Sequence, residues 1–236
     1  MQCSLYGKLP TKRDFVAVGA PREFLSAWEP WVQGGVSASR ATLGEQWQNA
    51  FLRAPIWRFW LGAELCGASV IGAFMPSLDG VGRYFPLTLF ACADQGAAIP
   101  PPEIDAQDEW FKGAEEFLIS TLDHDKTFEM TMAELEALAA PLQAELPKAS
   151  TADMIVESDG TLGVMAGDRP FADLFGSLRA ADHERIYAAT SCWWTVGGED
   201  FAPFALCGKR MPDPFLFAAM LTGQFSAVEA GATPAT

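Results

Sequence analysis

Two segments of the chain carry side chains that could bind or transform an anionic group. Residues 75–87 hold Ser77, Asp79 and Arg83 among turn-forming residues, so a hydroxyl, a carboxylate and a guanidinium share one short loop. Arg58 lies among tryptophan and phenylalanine residues, where a guanidinium can stack on a ring and still donate to a carboxylate. If the two segments pack together, Arg58 and Arg83 would form one anion-binding site.

The same residues also have a structural interpretation. A serine nucleophile needs a general base, and no histidine lies near Ser77 in the sequence. The nucleophile-elbow pattern GxSxG is also absent. On this interpretation Asp79 and Arg83 form a buried or half-buried ion pair across the turn, and Arg58 anchors the edge of the core or an interface. The sequence therefore names no catalytic residue.

The Gly7-Lys8 pair resembles the end of a phosphate-binding loop, but the remainder of that motif is missing. A phosphate loop requires a glycine five residues earlier and a serine or threonine after the lysine, and those positions hold Gln2 and Leu9. We reject nucleotide binding here. We expect an ordinary loop in which Asp14 caps the backbone or pairs with a neighbouring cation.

Two adjacent tryptophans, Trp193 and Trp194, lie in a segment rich in strand-forming residues. Successive side chains of a strand point to opposite faces of the sheet. One ring is then expected to fill the core, while the other meets a covering helix or stays open as a binding surface.

Metal and cofactor chemistry finds little support in the composition. The five cysteines show no CxxC spacing, and the two histidines lie beside acidic residues rather than in a metal-binding pattern. We therefore expect no metal site, no cofactor and no disulfide framework. The cysteines are interpreted as small buried side chains in a reducing compartment.

The charge excludes two classes of partner. The 236 residues carry 16 basic and 30 acidic side chains, a net charge of −14. Nucleic-acid-binding proteins carry basic surfaces, and an anionic membrane repels an acidic protein, so neither is an expected partner. No apolar run approaches the ~20 residues of a membrane span, and the N-terminus has no basic leader followed by an apolar stretch. We expect a cytoplasmic protein without membrane insertion.

The acidity belongs to the second half of the chain. Residues 1–102 have a net charge of +1 and residues 103–236 a net charge of −15, and the change falls at a run of three prolines that ends at Pro102. We expect a single α/β domain over 1–226, with a motif-bearing half at 1–99 and an acidic half at 103–226. The small polar residues 227–236 are expected to form a flexible tail.

The segment 103–146 is the most acidic, with 12 acidic and 2 basic side chains. Two interpretations stay open: solvated amphipathic helices that keep the protein soluble, or an acidic face that steers a basic partner.

Apolar periodicity predicts the elements that position these residues. Helices are expected near 21–28, 43–51, 110–122, 171–178 and 215–221, and a capping box at Thr131–Glu134 predicts another. Short apolar runs at 70–75 and 86–93 predict strands. The irregular alternation of helices and strands favours a mixed sheet, and the apolar strands require cover on both faces. The fold class is therefore layered α/β.

Taken together, the motifs resemble the TagF family of type VI secretion-associated proteins. The resemblance is dense over residues 5–92 and looser around 191–195 and 212–221. Its segments are Gly7-Lys8-Leu9-Pro10 with Arg13-Asp14-Phe15, Trp28 to Trp31 with Leu43-Gly44 and Trp47, Ala54-Pro55-Ile56-Trp57-Arg58-Phe59, and Met75-Pro76-Ser77-Leu78-Asp79 with Val81-Gly82-Arg83-Tyr84-Phe85-Pro86-Leu87.

This resemblance implies a three-layer α/β/α fold and a stand-alone, non-enzymatic accessory protein of a type VI secretion system in a Gram-negative bacterium. It implies post-translational repression of assembly or firing through contact with a component such as the forkhead-associated scaffold protein. The alternative is an anion or phospho-ligand binding module, or a small hydrolase. The motif residues expected to serve the structure are Gly7, Lys8, Pro10, Asp14, Trp57, Pro76, Gly82 and Pro86.

Overall fold

A seven-stranded sheet forms the centre of the protein in the computed structural model, which describes residues 1–145, 154–156, 158, 161–165 and 168–225. Its strands alternate between residues that face one core and residues that face another. They are β1 (Cys3–Gly7), β2 (Val16–Val18), β3 (Trp57–Leu61), β4 (Val70–Met75), β5 (Leu87–Cys92), β10 (Thr190–Thr195) and β11 (Phe204–Lys209).

The order of the strands is β11-β10-β3-β4-β5-β1-β2. Every pairing described in this sheet is antiparallel, whereas the sequence predicted a mixed sheet. The short α3 (Ala63–Cys66) connects β3 to β4, and the turn-rich loop 76–86 connects β4 to β5. Because connections this short cannot return a chain for parallel pairing, they make antiparallel hairpins.

Aromatic side chains fill the core on one face of the sheet, which is covered by α1 (Arg22–Leu43), α2 (Trp47–Arg53) and α7 (Leu216–Thr222). Aromatic residues recur at helical spacing on the inward face of α1. The ring centre of Trp28 on this face lies 4.4 Å from the ring centre of Phe59 in β3. The buried rings include Phe24, Trp28, Trp31, Trp47, Phe51, Trp57, Phe59, Phe74, Phe90, Trp193 and Phe217.

Aliphatic residues dominate the core on the opposite face, under α4 (Asp108–Ser120) and α5 (Phe128–Ala137). These two helices carry much of the acidic segment 103–146, and several of its acidic side chains, among them Asp108, Glu109 and Glu116, are exposed. The α/β class and the three-layer α/β/α arrangement predicted above are therefore confirmed.

Several element boundaries differ from the sequence prediction. The cap of α5 is Thr127, whose side chain accepts a hydrogen bond from Met130 N, whereas the capping box at Thr131–Glu134 lies inside the helix. Thr131 is buried there, which a solvent-facing cap would not be. The sequence also predicts only a short helix from Phe171, but α6 extends over Phe171–Ala188.

Two small ribbons complete the strands of the described residues. Two-stranded ribbons join β6 (Ala97–Ala98) to β7 (Ala144–Glu145) and β8 (Met154–Val156) to β9 (Leu162–Val164). The segment 227–236, for which the sequence predicts a flexible tail, lies outside the described residues. No helix within the described ranges is long and apolar enough to cross a membrane.

Candidate functional site

Two motif-bearing loops meet beyond the ends of β1 and β4. The first follows Gly7, and the second is the β4–β5 connection that ends at Pro86. Gly7 has φ +132°, and a Cβ atom placed on it would lie 2.1 Å from the carbonyl oxygen of Pro86. Only glycine permits both this backbone conformation and so close an approach. The local sequence therefore forces the two loops into contact.

Asp79 lies at the centre of this contact with no exposed surface. Its Oδ2 atom accepts hydrogen bonds from Lys8 Nζ at 2.5 Å and from Arg83 Nε at 2.7 Å. Its Oδ1 atom accepts from the backbone N–H groups of Val81 at 3.1 Å and Arg83 at 2.9 Å. We call Lys8, Asp79 and Arg83 the Asp79 knot. The expected pair between Asp79 and Arg83 is present, and Lys8 is a second cation that the sequence did not indicate.

The electrostatics of the knot favour the ionised carboxylate. Burial alone would raise the pKa of Asp79, but the hydrogen bonds from Lys8, from the backbone of Arg83 and Val81, and from the Arg83 side chain lower it by more than burial raises it. The pKa of Asp79 is therefore held well below its usual range. A carboxylate with four donors has its charge and lone pairs satisfied, so it holds the loops rather than offering a free base.

Ser77 is also engaged inside the knot. The side chain is 2% exposed, and Oγ donates its proton to the carbonyl oxygen of Lys8 at 2.7 Å. A hydroxyl buried in this way ties the second loop to the end of β1. Its geometry is that of a structural contact between loops.

The remaining motif residues shape the two loops and their surroundings. Gly82 has φ +83° in the turn, while Pro86 is buried and Pro76 and Pro10 are partly buried. Trp57 lies in the aromatic core, 1% exposed, and its Nε1 donates to the carbonyl oxygen of Met220 at 3.0 Å.

The expected role of Asp14 in the first loop finds no counterpart. Asp14 is exposed, and among the described residues no ion pair or side-chain hydrogen bond involves it. Its neighbour Arg13 contributes its backbone carbonyl, which accepts a hydrogen bond from Arg83 Nη2 at 2.5 Å. The backbone, rather than an acidic cap, thus connects this part of the loop to the knot.

Arg58 belongs to a second, separate ion-pair centre. From β3 it donates Nε and Nη2 to the two carboxylate oxygens of Glu115, at 2.6 and 3.1 Å, and Nη1 to Asp108 at 3.4 Å. Its guanidinium also lies 4.9 Å from the centre of the Phe111 ring. We call Arg58, Asp108 and Glu115 the Arg58 bridge, because they fasten α4 to the sheet.

The structure does not bring Arg58 and Arg83 to one anion site. Arg58 pairs with carboxylates of α4, whereas Arg83 pairs with Asp79 of its own loop. Because each guanidinium already has an internal carboxylate partner, a shared anion pocket formed by the two gains no support from the geometry.

The two tryptophans point to opposite faces, as their position on one strand predicts. Trp193 is 1% exposed in the aromatic core and lies 4.5 Å from Trp31. Trp194 is partly buried on the other face and makes an edge contact with Phe111 of α4 at 5.0 Å. Both rings pack against covering helices, so neither forms an open aromatic surface.

Sequence reasoning missed the two partners that complete these centres. Lys8 is 5% exposed at the end of an apolar strand, a position at which a lysine requires an anionic partner. Glu115 lies four residues after Phe111, which contacts the same arginine. The helical spacing could have indicated this carboxylate, because residues i and i+4 share a helix face.

The fold and these two centres define a class of three-layer α/β/α protein in which charged motif residues fasten loops and helices to one sheet. A sequence model of the TagF N-terminal domain, type VI secretion system-associated, matches residues 4–138, which is more than half of the chain. The chain belongs to the TagF family, and the resemblance inferred from its motifs is confirmed. It is accordingly a type VI secretion-associated accessory protein.

A solved structure extends the similarity over the whole fold. The crystal structure of PA0076 from Pseudomonas aeruginosa PAO1 matches with a TM-score of 0.75 and 27% sequence identity, covering 98% of this chain and 99% of that chain. The likeness therefore includes the C-terminal elements beyond residue 138. No curated protein matches the chain.

Proposed function

We propose that this protein is a cytoplasmic, non-enzymatic regulator that represses assembly or firing of a type VI secretion system after translation. It does so by binding a protein component of the machine, and the forkhead-associated scaffold protein is the partner that we propose. The observation that carries this proposal is the family match over residues 4–138, which spans both charged loops and the Arg58 bridge.

The geometry of the polar groups supports an interaction role over a catalytic one. The hydroxyl of Ser77 and the carboxylate of Asp79 are buried and hydrogen-bonded within the protein. A hydrolytic site would need such groups accessible to a substrate. Their engagement instead fixes the loops, which suits a surface presented to a partner.

The sheet supports the further proposal that residues 1–226 act as one α/β domain. Five of its strands come from the motif-bearing half 1–99, and β10 and β11 come from the acidic half 103–226. Because β10 pairs with β3, the two halves share a continuous set of backbone hydrogen bonds. A truncation near Pro102 is expected to expose the β3 edge and to abolish folding.

The test of this function compares effector release in three strains that carry the secretion system. One has the coding sequence deleted, one produces the protein in excess, and one is unaltered. We expect excess protein to silence effector release and the deletion to raise it, with unchanged amounts of the structural components inside the cell. Unaltered release in the deletion strain under both resting and inducing conditions would contradict a repressor.

A further inference from the structure

The loops that surround the Asp79 knot expose a group of large side chains. We call residues 10–15 and 80–83 the loop platform. Phe15 is 50% exposed and Val81 is 56% exposed, while the side chain of Arg83 is 61% exposed. Aromatic and arginine side chains of this kind carry much of the binding energy in protein interfaces.

Hydrogen bonds and a ring contact hold the two loops of the platform together. Gly80 N donates to the carbonyl oxygen of Lys12 at 2.8 Å, and the Arg83 side chain donates from Nη2 to the carbonyl oxygen of Arg13, so one backbone and one side-chain hydrogen bond join the two loops. The Phe15 ring packs edge-on against Phe85 at 4.8 Å. Because these groups are already ordered, a partner would not have to supply the free energy that ordering loops requires.

The charge of the loop platform is opposite to that of the whole chain. Lys12, Arg13 and Arg83 lie on it together with one acidic residue, Asp14, in a protein of net charge −14. Among the described residues, the Arg13 side chain makes no ion pair or side-chain hydrogen bond, so its guanidinium is available to a partner.

We propose that the loop platform binds an acidic segment of the type VI protein that this chain regulates. The inference rests on the proposed function and adds the surface and the chemistry of the partner. Charge complementarity identifies the occupant: the Arg13 guanidinium pairs with a carboxylate of the partner, and Phe15 and Val81 supply apolar contact beside it. The acidic helices α4 and α5 of a second copy are not the occupant we propose, because such a head-to-tail contact does not close and would form chains.

The experiment measures binding of the full chain to purified type VI proteins of the same strain, each tested singly, beginning with the forkhead-associated scaffold protein. Two variants alter the loop platform without removing a knot side chain, Arg13→Glu and Val81→Glu. The matched control is Lys112→Glu, which makes the same charge change as Arg13→Glu on an exposed position of α4. Thermal unfolding of each variant verifies that the fold is retained.

We expect both platform variants to weaken binding at least tenfold, with melting temperatures near that of the unaltered chain, and Lys112→Glu to bind within about twofold. Affinity should also fall between about 50 and 500 mM NaCl, since salt screens exposed charges. Unchanged binding by Arg13→Glu and Val81→Glu would overturn the loop platform while leaving the proposed function intact. Failure of the unaltered chain to bind any type VI protein would overturn both.

Two further outcomes would assign the surface to another occupant and so overturn the proposal. One is concentration-dependent self-association in light scattering that Arg13→Glu abolishes. The other is binding to vesicles containing phosphatidylglycerol that is lost in the same variant. Affinity that does not change with salt would overturn the acidic chemistry of the partner.

Discussion

The Asp79 knot and the Arg58 bridge use the same pair of charged groups with opposite burial. In the knot the carboxylate has no exposed surface and the Arg83 side chain is 61% exposed. In the bridge the Arg58 side chain is 9% exposed, and its partner Asp108 is 78% exposed. The buried member determines the cost of breaking each centre, because an exposed ion regains its hydration and a buried one does not.

The comparison predicts that neutralising Asp79 is the most damaging change of this kind. Asp79→Asn leaves Lys8 buried beside a neutral amide, and removing one partner of a buried pair costs about 3–5 kcal/mol. Urea unfolding at pH 7 measures the loss of stability. A double-mutant cycle with Lys8→Met separates the coupling from the change of volume, and a coupling near zero would show that the two charges do not stabilise each other.

The same carboxylate predicts a dependence of stability on pH. The pKa of Asp79 is lower in the folded protein than its value of about 3.9 in the unfolded chain, so its contribution is present above pH 4 and is lost as the pH falls below it. The difference in unfolding free energy between the unaltered chain and Asp79→Asn should narrow by about 1 kcal/mol per pH unit below pH 4. A difference that stays constant from pH 7 to pH 3 would contradict the lowered pKa.

Removal of the Arg58 guanidinium should cost less. Arg58→Met keeps much of the packing on Phe111 but leaves Glu115, which is 17% exposed, without its cation. We expect a loss of about 1–3 kcal/mol, since Glu115 retains some contact with water. The control is Arg53→Met, because both Arg53 and its partner Asp200 are exposed. This variant should change the free energy of unfolding by less than about 0.5 kcal/mol. Equal losses for the two variants would remove the distinction between buried and exposed cations.

A smaller effect than that of Arg58→Met is expected at the contact between the first loop and α5. The ammonium of Lys12 lies 4.0 Å from the centre of the Phe128 ring, at the start of α5. Lys12→Met keeps the aliphatic chain and removes the charge, so it should cost about 0.5–1 kcal/mol. Chemical unfolding measures this loss of stability, with Phe128→Leu as the second member of a double-mutant cycle. Additive losses would show that the cation and the ring do not interact.

Much of the fold follows from local patterns in the sequence. The apolar runs at 70–75 and 86–93, which predict strands, form β4 and β5, and the aromatic face that begins at Phe24 belongs to α1. Strand propensity alone does not give the pairing direction, which depends on the length of each connection and on whether it crosses the sheet. The start of α5 was misplaced because two threonines offer similar caps, and burial of Thr131 against the core decided between them.

The candidate site was predictable only in its local part. Asp79 and Arg83 are four residues apart, so their pairing follows from a single turn. The contacts of Lys8 with Asp79 and of Arg58 with Glu115 span 71 and 57 residues. Such contacts depend on the strand order of the sheet, which a single sequence does not contain. This long-range pairing is also why Arg58 and Arg83 occupy separate centres.

The most direct test of the account places a photo-crosslinking residue at position 81 or, in a matched strain, at position 112, in cells that assemble the secretion system. Both positions are exposed, but Val81 lies on the loop platform and Lys112 on α4. We predict that position 81 crosslinks to a type VI component identified by mass spectrometry and that position 112 does not. Crosslinking of such a component from position 112 and not from position 81 would contradict it.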